Sequence, residues 1–428
     1  MKRTTGLYLM IITLLSITSF PASAQEQGTK QSGSPLRYRL TDLGTLGGTF
    51  SQAFGVNDNG WVAGFATTEG DISVHAFLWR RGVMTDLGTL GGSDPLPYSV
   101  AGSINNRGEI VGFSETSIAD PLGENFCGDF LVCLPVVWRR GEITTLPTLG
   151  GNNGVANGIN NRGQVIAHTE TAQLDPTCDP PQVLNYQPVI WEKGYVHKLP
   201  TIPGDPDGFV NTINDKGQAG GDTVACNLSS GHPVLWQNGK ATAITGLEPV
   251  DINNRGEATG TGGDANGVMH AALWKNGLVT ILETLPDAAE SHGNSINDKG
   301  QVTGQSCSAN GWPDCTVFVW QNGIVRDLNA LATPDSSLFA LDTGKMNARG
   351  QIVGFAVTDA GEGHAFLATP CDQENEEDKG CRTQEQSFSR LAVRPRTTIA
   401  VPDRIQRILQ KGQTHLLLMS AHGKRLTK

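Results

Sequence analysis

Sustained helical periodicity is absent from this 428-residue chain between about residue 36 and residue 370. That absence excludes helix bundles and alternating helix–strand folds. Cys-x-x-Cys pairs are also absent, and no His pair stands beside the eight cysteines, which excludes the common structural zinc sites. Gly-x-Ser-x-Gly, His-Glu-x-x-His and phosphate-loop signatures are missing, so no reaction is written in a motif. Long apolar runs are limited to one, Leu7 to Leu15 with Ile17, which is interrupted by Thr13 and Ser16 and too short to span a bilayer comfortably. Lys2 and Arg3 precede it and Ala22-Ser23-Ala24 follows it, so residues 1–24 read as an export signal with the mature chain starting at Gln25. Positive charge is scarce in the body. Residues 25–381 carry −20, whereas Arg382–Lys428 carries ten basic and two acidic residues, +8. A body so acidic repels phosphate backbones, so nucleic acid is excluded as its partner.

What the chain does have is a seven-fold repeat of a hydrophobic residue, Asn, two further residues and Gly. The copies start at Val56, Ile104, Ile159, Ile213, Ile252, Ile296 and Met346. Each unit has four apolar segments of strand length bounded by Gly, Asn or Asp, in the first unit Ala53–Val56, Trp61–Ala66, His75–Trp79 and Val83–Leu87. The unit reads as a four-stranded meander. Two of its connections are constant in length: the Asn-x-x-Gly turn, and a hairpin such as Arg81-Gly82 or Asn276-Gly277 that keeps Trp eight residues before the next Leu or Ile. The other two vary. Gly108 to Trp138 spans thirty residues and Gly163 to Trp191 twenty-eight, against about twenty in most units. In a meander all variation then falls on one edge, and loops on a rigid scaffold are where function concentrates.

The array is out of phase with its own ends. It opens on a strand-four sequence, Tyr38–Leu43, with no Trp before it, and stops at a strand three, His364–Leu367, with no strand four after it. The first fragment supplies what the last unit lacks, so the expected fold is an all-β, seven-bladed β-propeller over residues 36–370, closed by its N-terminal strand. Residues 25–35 are expected to be flexible. Residues 371–428 are expected to be a disulfide-bracketed acidic linker and a mostly disordered basic tail.

These repeats resemble the HAF-repeat family of bacterial extracellular repeat proteins. The likeness rests on His75-Ala76-Phe77 and His364-Ala365-Phe366, on Asp-Leu-Gly-Thr-Leu-Gly-Gly at Asp42–Gly48 and Asp86–Gly92, and on Ile-Asn-Asn-x-Gly at Ile104 and Ile159. It covers the whole array. The middle units depart from it at Leu134-Pro135-Val136 and Gln187-Pro188-Val189. The resemblance implies an exported repeat protein, and it brings no reaction or catalytic residues.

Export makes the cysteines disulfide candidates. Spacing alone leaves the connectivity open; the repeat register selects Cys127–Cys133, Cys178–Cys226, Cys307–Cys315 and Cys371–Cys381. The Asn-rich turns read as Asx turns and not as calcium loops, because most copies carry a cation, as in Asn105-Asn106-Arg107-Gly108. The recurrent His75, His232, His270 and His364 read as structural, since other units place Leu134, Gln187 and Thr316 there. The repeated Trp residues read as packing between units. Trp312 stands outside the repeat and is the candidate stacking surface. The long loops hold Glu115, Asp120, Glu124, Asp129, Asp175 and Asp179, which are the binding candidates; the ordinary expectation for such loop acids is solvation. The function expected is a monomeric, secreted binding or scaffolding module for a glycan or surface protein, without cofactor or metal and without a membrane span after signal cleavage. The rivals are a polysaccharide-acting enzyme that uses loop carboxylates, and a purely structural repeat protein.

Overall fold

The computed structural model describes residues 37–92, 97–309, 311 and 314–371. The expected signal, the segment 25–35, Trp312, Cys381 and the tail lie outside them. The described chain is all-β, with 28 strands and two helical fragments, Glu69–Asp71 and Leu328–Leu331. The strands form six sheets, five of them four-stranded antiparallel meanders. The sixth has eight strands. It combines the four strands of repeat one (Gly47–Val56, Val62–Thr68, Val74–Arg80 and Val83–Asp86) with the three of repeat seven (Leu338–Met346, Ile352–Thr358 and Gly363–Pro370), joined by one parallel pair, Phe50 with Gly363. Tyr38–Asp42 lies antiparallel to the last strand, Tyr38 opposite Pro370 and Asp42 opposite Phe366. The incoming strand-four sequence therefore sits beside the final strand three.

Turn chemistry explains the two constant connections. In every Asn-x-x-Gly turn the Gly amide donates to the Asn carbonyl at 2.9–3.0 Å. The Gly itself sits at φ +75 to +86, a conformation that L side chains adopt poorly. The third connection has two residues at positive φ in each of six repeats, from Arg81-Gly82 to Asn322-Gly323. That is the type I′ hairpin, whose twist matches the strands it joins.

The Asn side chain does more than make its own turn. In Asn160, Oδ1 accepts the backbone amides of Arg162 and Gln164, both at 3.0 Å. Its Nδ2 donates to Gln164 Oε1 at 2.8 Å and to the backbone oxygen of Asn214, in the next repeat, at 2.9 Å. Every hydrogen-bonding site of the amide is used. The same outward donation runs from Asn57 to Asn105, Asn105 to Asn160, Asn214 to Asn253, Asn253 to Asn297, Asn297 to Asn347 and Asn347 back to Asn57, at 2.9–3.3 Å. The seven bonds form a closed circuit.

Apolar clusters fill the spaces between sheets. One combines Val111 and Val137 of repeat two with Ala156, Val165 and Trp191 of repeat three. Another combines Val353, Ala365 and Leu367 of repeat seven with Ala53, Val62 and Phe77 of repeat one. Trp138 and Trp236 are buried, and their indole N–H groups donate to the Leu87 and Pro200 carbonyls at 3.0 and 2.7 Å, so the Trp residues pack between units.

Replacing Asn160 by Asp puts an acceptor where two donations originate. The expected cost is about 2 kcal/mol of stability in guanidinium unfolding. Asp215→Asn, which keeps the acceptor for the Asn161 amide, should cost much less. Equal costs would show that the circuit does not stabilise the fold.

Candidate functional site

The two edges of the sheets differ as their connections do. On the varying edge, the hairpins of repeats two and three project as arms. Ile110–Ala119 and Val165–Leu174 run to ten residues each, where the second strands of repeats four to six have six. Three disulfides brace this edge. Cys127–Cys133 lies within arm two, Cys178–Cys226 ties arm three to repeat four, and Cys307–Cys315 lies in repeat six. These are three of the four pairs selected by register; the fourth involves Cys381, which lies outside the described residues.

The loop acids depart from the expectation of solvation. Asp129 and Asp179 are exposed, but Glu115, Asp120, Glu124 and Asp175 are buried. Glu115 stands on a strand opposite Cys133, not in a loop. Asp120 caps its own turn, accepting the Leu122 and Glu124 amides at 2.8 and 3.0 Å. Glu124 reaches across to arm three, where one carboxylate oxygen accepts the amides of Val183 and Leu184 at 2.9 and 2.8 Å and the Gln182 side chain at 3.1 Å. Asp175 accepts the Thr177 amide at 2.6 Å. For Asp120, Glu124 and Asp175 the physical reason is the same: the turns at the arm tips leave amide N–H groups without strand partners, and a carboxylate of the same or the neighbouring arm accepts them.

Two acids that the sequence did not single out complete the lock. Glu170 accepts the Asn153 amide and side chain at 2.9 and 3.1 Å, and Gln182 at 2.9 Å. Asn153 also donates to Asp120 at 2.9 Å, and Gln182 bridges Glu124 and Glu170. Burial, with the Glu124 charge nearby, raises the Glu170 carboxyl despite these donors. Asp207 accepts the Tyr186 amide at 2.7 Å and the Asn185 side chain at 2.9 Å. Its carboxyl is pushed up to about 8 by burial first, then by its hydrogen bond with Asp175. Asp175 is held below the usual range: burial opposes this, but the Thr177 and Asp207 hydrogen bonds prevail. The opposite shifts favour a single proton held between the two, on the Asp207 side. Both Glu170 and Asp207 lie on strands of repeats three and four, where an isolated acid carries no loop signal.

A second group of acids lines the inner strands. Burial pushes Asp222 up to about 7; burial and the Asp222 charge push Glu248 up to about 8. Asn211 donates to Asp222 at 3.4 Å, and His292 pairs with Thr261 at 3.1 Å. Asp251 accepts Thr212, Ser295 and Lys345 at 2.6–2.9 Å, joining four repeats. Among the described residues no group of three or more His, Cys, Asp and Glu has the arrangement to hold a metal ion.

The recurrent His side chains have a structural partner. His75 pairs with Asp86 at 2.8 Å, and His364 with Asp42 at 2.9 Å, joining strand three to strand four. The same Asp residues accept the Gly88 and Gly44 amides. The Ser99 and Ser51 hydroxyls then bond the Gly88 and Gly44 carbonyls and accept the Ala76 and Ala365 amides. His-Ala-Phe and Asp-Leu-Gly are thus two halves of one clamp between repeats. Burial works against ionised Asp42 and Asp86, but the His and Gly donors hold both below the ordinary carboxylate value.

Four of the eleven large apolar side chains that stand exposed among the described residues lie on the two arms, while Val83, Tyr195, Leu278 and Ile324 stand singly at the hairpins of the opposite edge. Ile118, Leu122 and Phe130 on arm two are 64, 50 and 50 % exposed, and Leu174 on arm three is 73 % exposed. The Asp120 amide donates to the Phe130 carbonyl at 2.8 Å, so three of the four share one hairpin tip. Sequence reading missed this patch because such residues look like ordinary strand positions.

No protein-family model matches the chain, and no curated protein matches it. Solved structures with a similar fold include the β-propeller domain of the Trilobed protease from Pyrococcus furiosus, at 12 % identity and TM-score 0.43, covering 64 % of this chain and 81 % of that one. A puromycin hydrolase S511A mutant complexed with PGG matches at 11 % identity and TM-score 0.45, over 76 % of this chain and 52 % of that one, so this chain spans about half of it. A polysaccharide lyase of family PL25, an ulvan lyase, matches at 9 % identity and TM-score 0.40, over 79 % and 96 %. At such identities and scores, none of them says what this chain binds.

A carboxyl whose folded pKa lies above its unfolded value stabilises the fold fully at low pH. That contribution fades as pH rises from about 4, the unfolded value, towards about 8, the Asp207 value. Asp207→Asn imitates the protonated acid. It should flatten the fall in guanidinium-unfolding stability between pH 5 and pH 8.5 by about 2 kcal/mol; an unchanged slope would show that the Asp175–Asp207 pair holds no shared proton. Loop-closure entropy also ranks the disulfides. Replacing Cys178 and Cys226, 48 residues apart, by Ser should cost about 4 kcal/mol. The corresponding Cys127/Cys133 change, at a separation of 6, should cost about 2 kcal/mol.

Proposed function

We propose that this chain is an exported, seven-bladed β-propeller of the HAF-repeat kind that acts as a binding module through its arm-bearing edge. The propeller reading is supported by the seven-membered Asn circuit, by the pairing of Tyr38–Asp42 with the last strand, and by the apolar cluster shared by repeats seven and one. Three disulfides suit an oxidising compartment. No helix among the described residues is long and apolar enough to cross a membrane.

One observation carries the functional reading. Four large apolar side chains stand in solvent on two arms that buried carboxylates join to each other and that disulfides brace one by one. A rigid scaffold that holds apolar groups out of the core is the arrangement of a recognition surface. The enzyme reading has a weaker support: Asp222 and Glu248 keep protons near neutrality on the inner strands. Among the loop acids, Asp120 and Asp175 are engaged with backbone amides.

The test is a glycan-array and pull-down screen of the purified mature protein beside a Phe130→Asp/Leu174→Asp variant. The expected result is at least a tenfold loss of retained ligand in the variant, with Glu142→Lys on the opposite edge unaffected. A ligand held equally by all three proteins would remove the arm edge from consideration.

A further inference from the structure

We propose that the arm-bearing edge docks this chain's own basic C-terminal segment, residues 382–428. This rests on the reading of that edge as the binding face and names its occupant. The argument begins with a partition of charge. The second and fourth connections of all repeats, which build the arm edge, contain no Lys or Arg at all. Glu69, Asp129, Asp179, Glu283 and Asp287 lie exposed there, and so does Asp335, which has Arg39 of the incoming strand near it. The opposite edge collects the cations. Arg107, Arg162, Lys216, Arg255, Lys299 and Arg349 occupy the Asn turns, and Arg81, Arg140 and Lys193 occupy the hairpins. The two edges therefore have different fields, and only one of them attracts a polycation.

The tail has the matching composition. Arg382–Lys428 carries +8, and between its cations lie Ile405, Ile408, Leu409 and the run Leu416–Leu418. Cationic and apolar groups on the segment answer acidic and apolar groups on the arms. Length permits the contact. The chain leaves the last sheet at Cys371, whose amide donates to the Arg37 carbonyl at 2.8 Å on the cationic edge. Cys371 is disulfide-bonded, and with Cys381 as its expected partner Arg382 starts beside that exit. The basic segment itself supplies the reach: 29 residue steps lead from Arg382 to Lys411, and at about 3.3 Å per extended residue roughly ten of them match the length of a ten-residue strand. Exposed ion pairs are individually weak and salt-screened, but tethering supplies a local concentration in the millimolar range.

Zero-length carbodiimide crosslinking of the full mature chain tests this. At 50 mM NaCl the monomer band should contain crosslinks from Lys411, Lys424 and Lys428 to arm-edge acids such as Asp129, Asp179 and Glu283. Their yield should fall at least fivefold at 500 mM NaCl, and likewise in Asp129→Lys/Asp179→Lys for the crosslinks to Glu69 and Glu283. Crosslinks chiefly to Asp58, Glu142 or Asp215 on the cationic edge, crosslinks confined to a dimer band, or no tail crosslinks would each overturn the proposal. If tail crosslinks fail while Phe130→Asp/Leu174→Asp still releases an external ligand, only the occupant is wrong. If both fail, the binding face itself is wrong.

Discussion

Everything else in this fold depends on one amide group used seven times. The Asn of each Asn-x-x-Gly turn spends its oxygen on its own turn and its nitrogen on the next repeat. A turn residue that closed only its own turn would leave neighbouring sheets joined by apolar packing and the His clamp alone, and small antiparallel units are marginal without such joins. Outward donation makes the turn of one repeat the template for the next. The residue four positions later finishes the arrangement, as Glu109, Gln164, Gln218, Glu257, Gln301 or Gln351 accepts the second N–H. Repeat one has Trp61 at that place and uses it for packing, with its ring against the turn of Gly108 and under the Arg80 guanidinium.

That circuit explains why the two edges can differ so much. The edge that carries it is fixed in length, because an added residue would shift the donor from its acceptor. The other edge is bound by no such condition. Insertions accumulate there, and repeats two and three have turned theirs into arms. Once extended, an arm must settle its own backbone polar groups, and buried carboxylates do so by accepting several amides apiece. The cost is burial and close approach of like charges, which raise the Glu170 and Asp207 carboxyls above their ordinary range.

The all-β, meander-by-meander character of the chain was legible in the sequence because it is written in spacing. Turn Asn and Gly, the constant step from Trp, and the out-of-phase ends each state a geometric condition that holds at one position and recurs. The His clamp was half legible: repetition identified His75 and His364, but their partners Asp86 and Asp42 lie in a motif that reads as a turn until the two strands are paired. Another device stayed hidden. Gly64 and Gly221 sit where a Cβ would meet the Gln52 or Phe209 carbonyl at about 2 Å, beside a bulge in the first strand, and nothing distinguishes them in sequence from ordinary strand glycines.

The candidate site was legible only as a region, and the reason is instructive. Loop acids were the right residues to notice, yet composition cannot tell a carboxylate aimed at solvent from one aimed at orphan amides. Asp179 is exposed, whereas Glu124 and Asp175 are of the second kind. The difference is decided by whether the arm tip folds back on itself or on a neighbour, which is a tertiary fact. Acids spent on holding the arms cannot also be the groups that meet a ligand. In the proposed binding role, recognition would pass to what the arms leave exposed, namely the apolar tips and the exposed acids, set against an opposite edge that carries the cations. The unequal division of charge between two edges of one array gives the molecule a direction, and a direction is what a module needs if one face is to hold a partner.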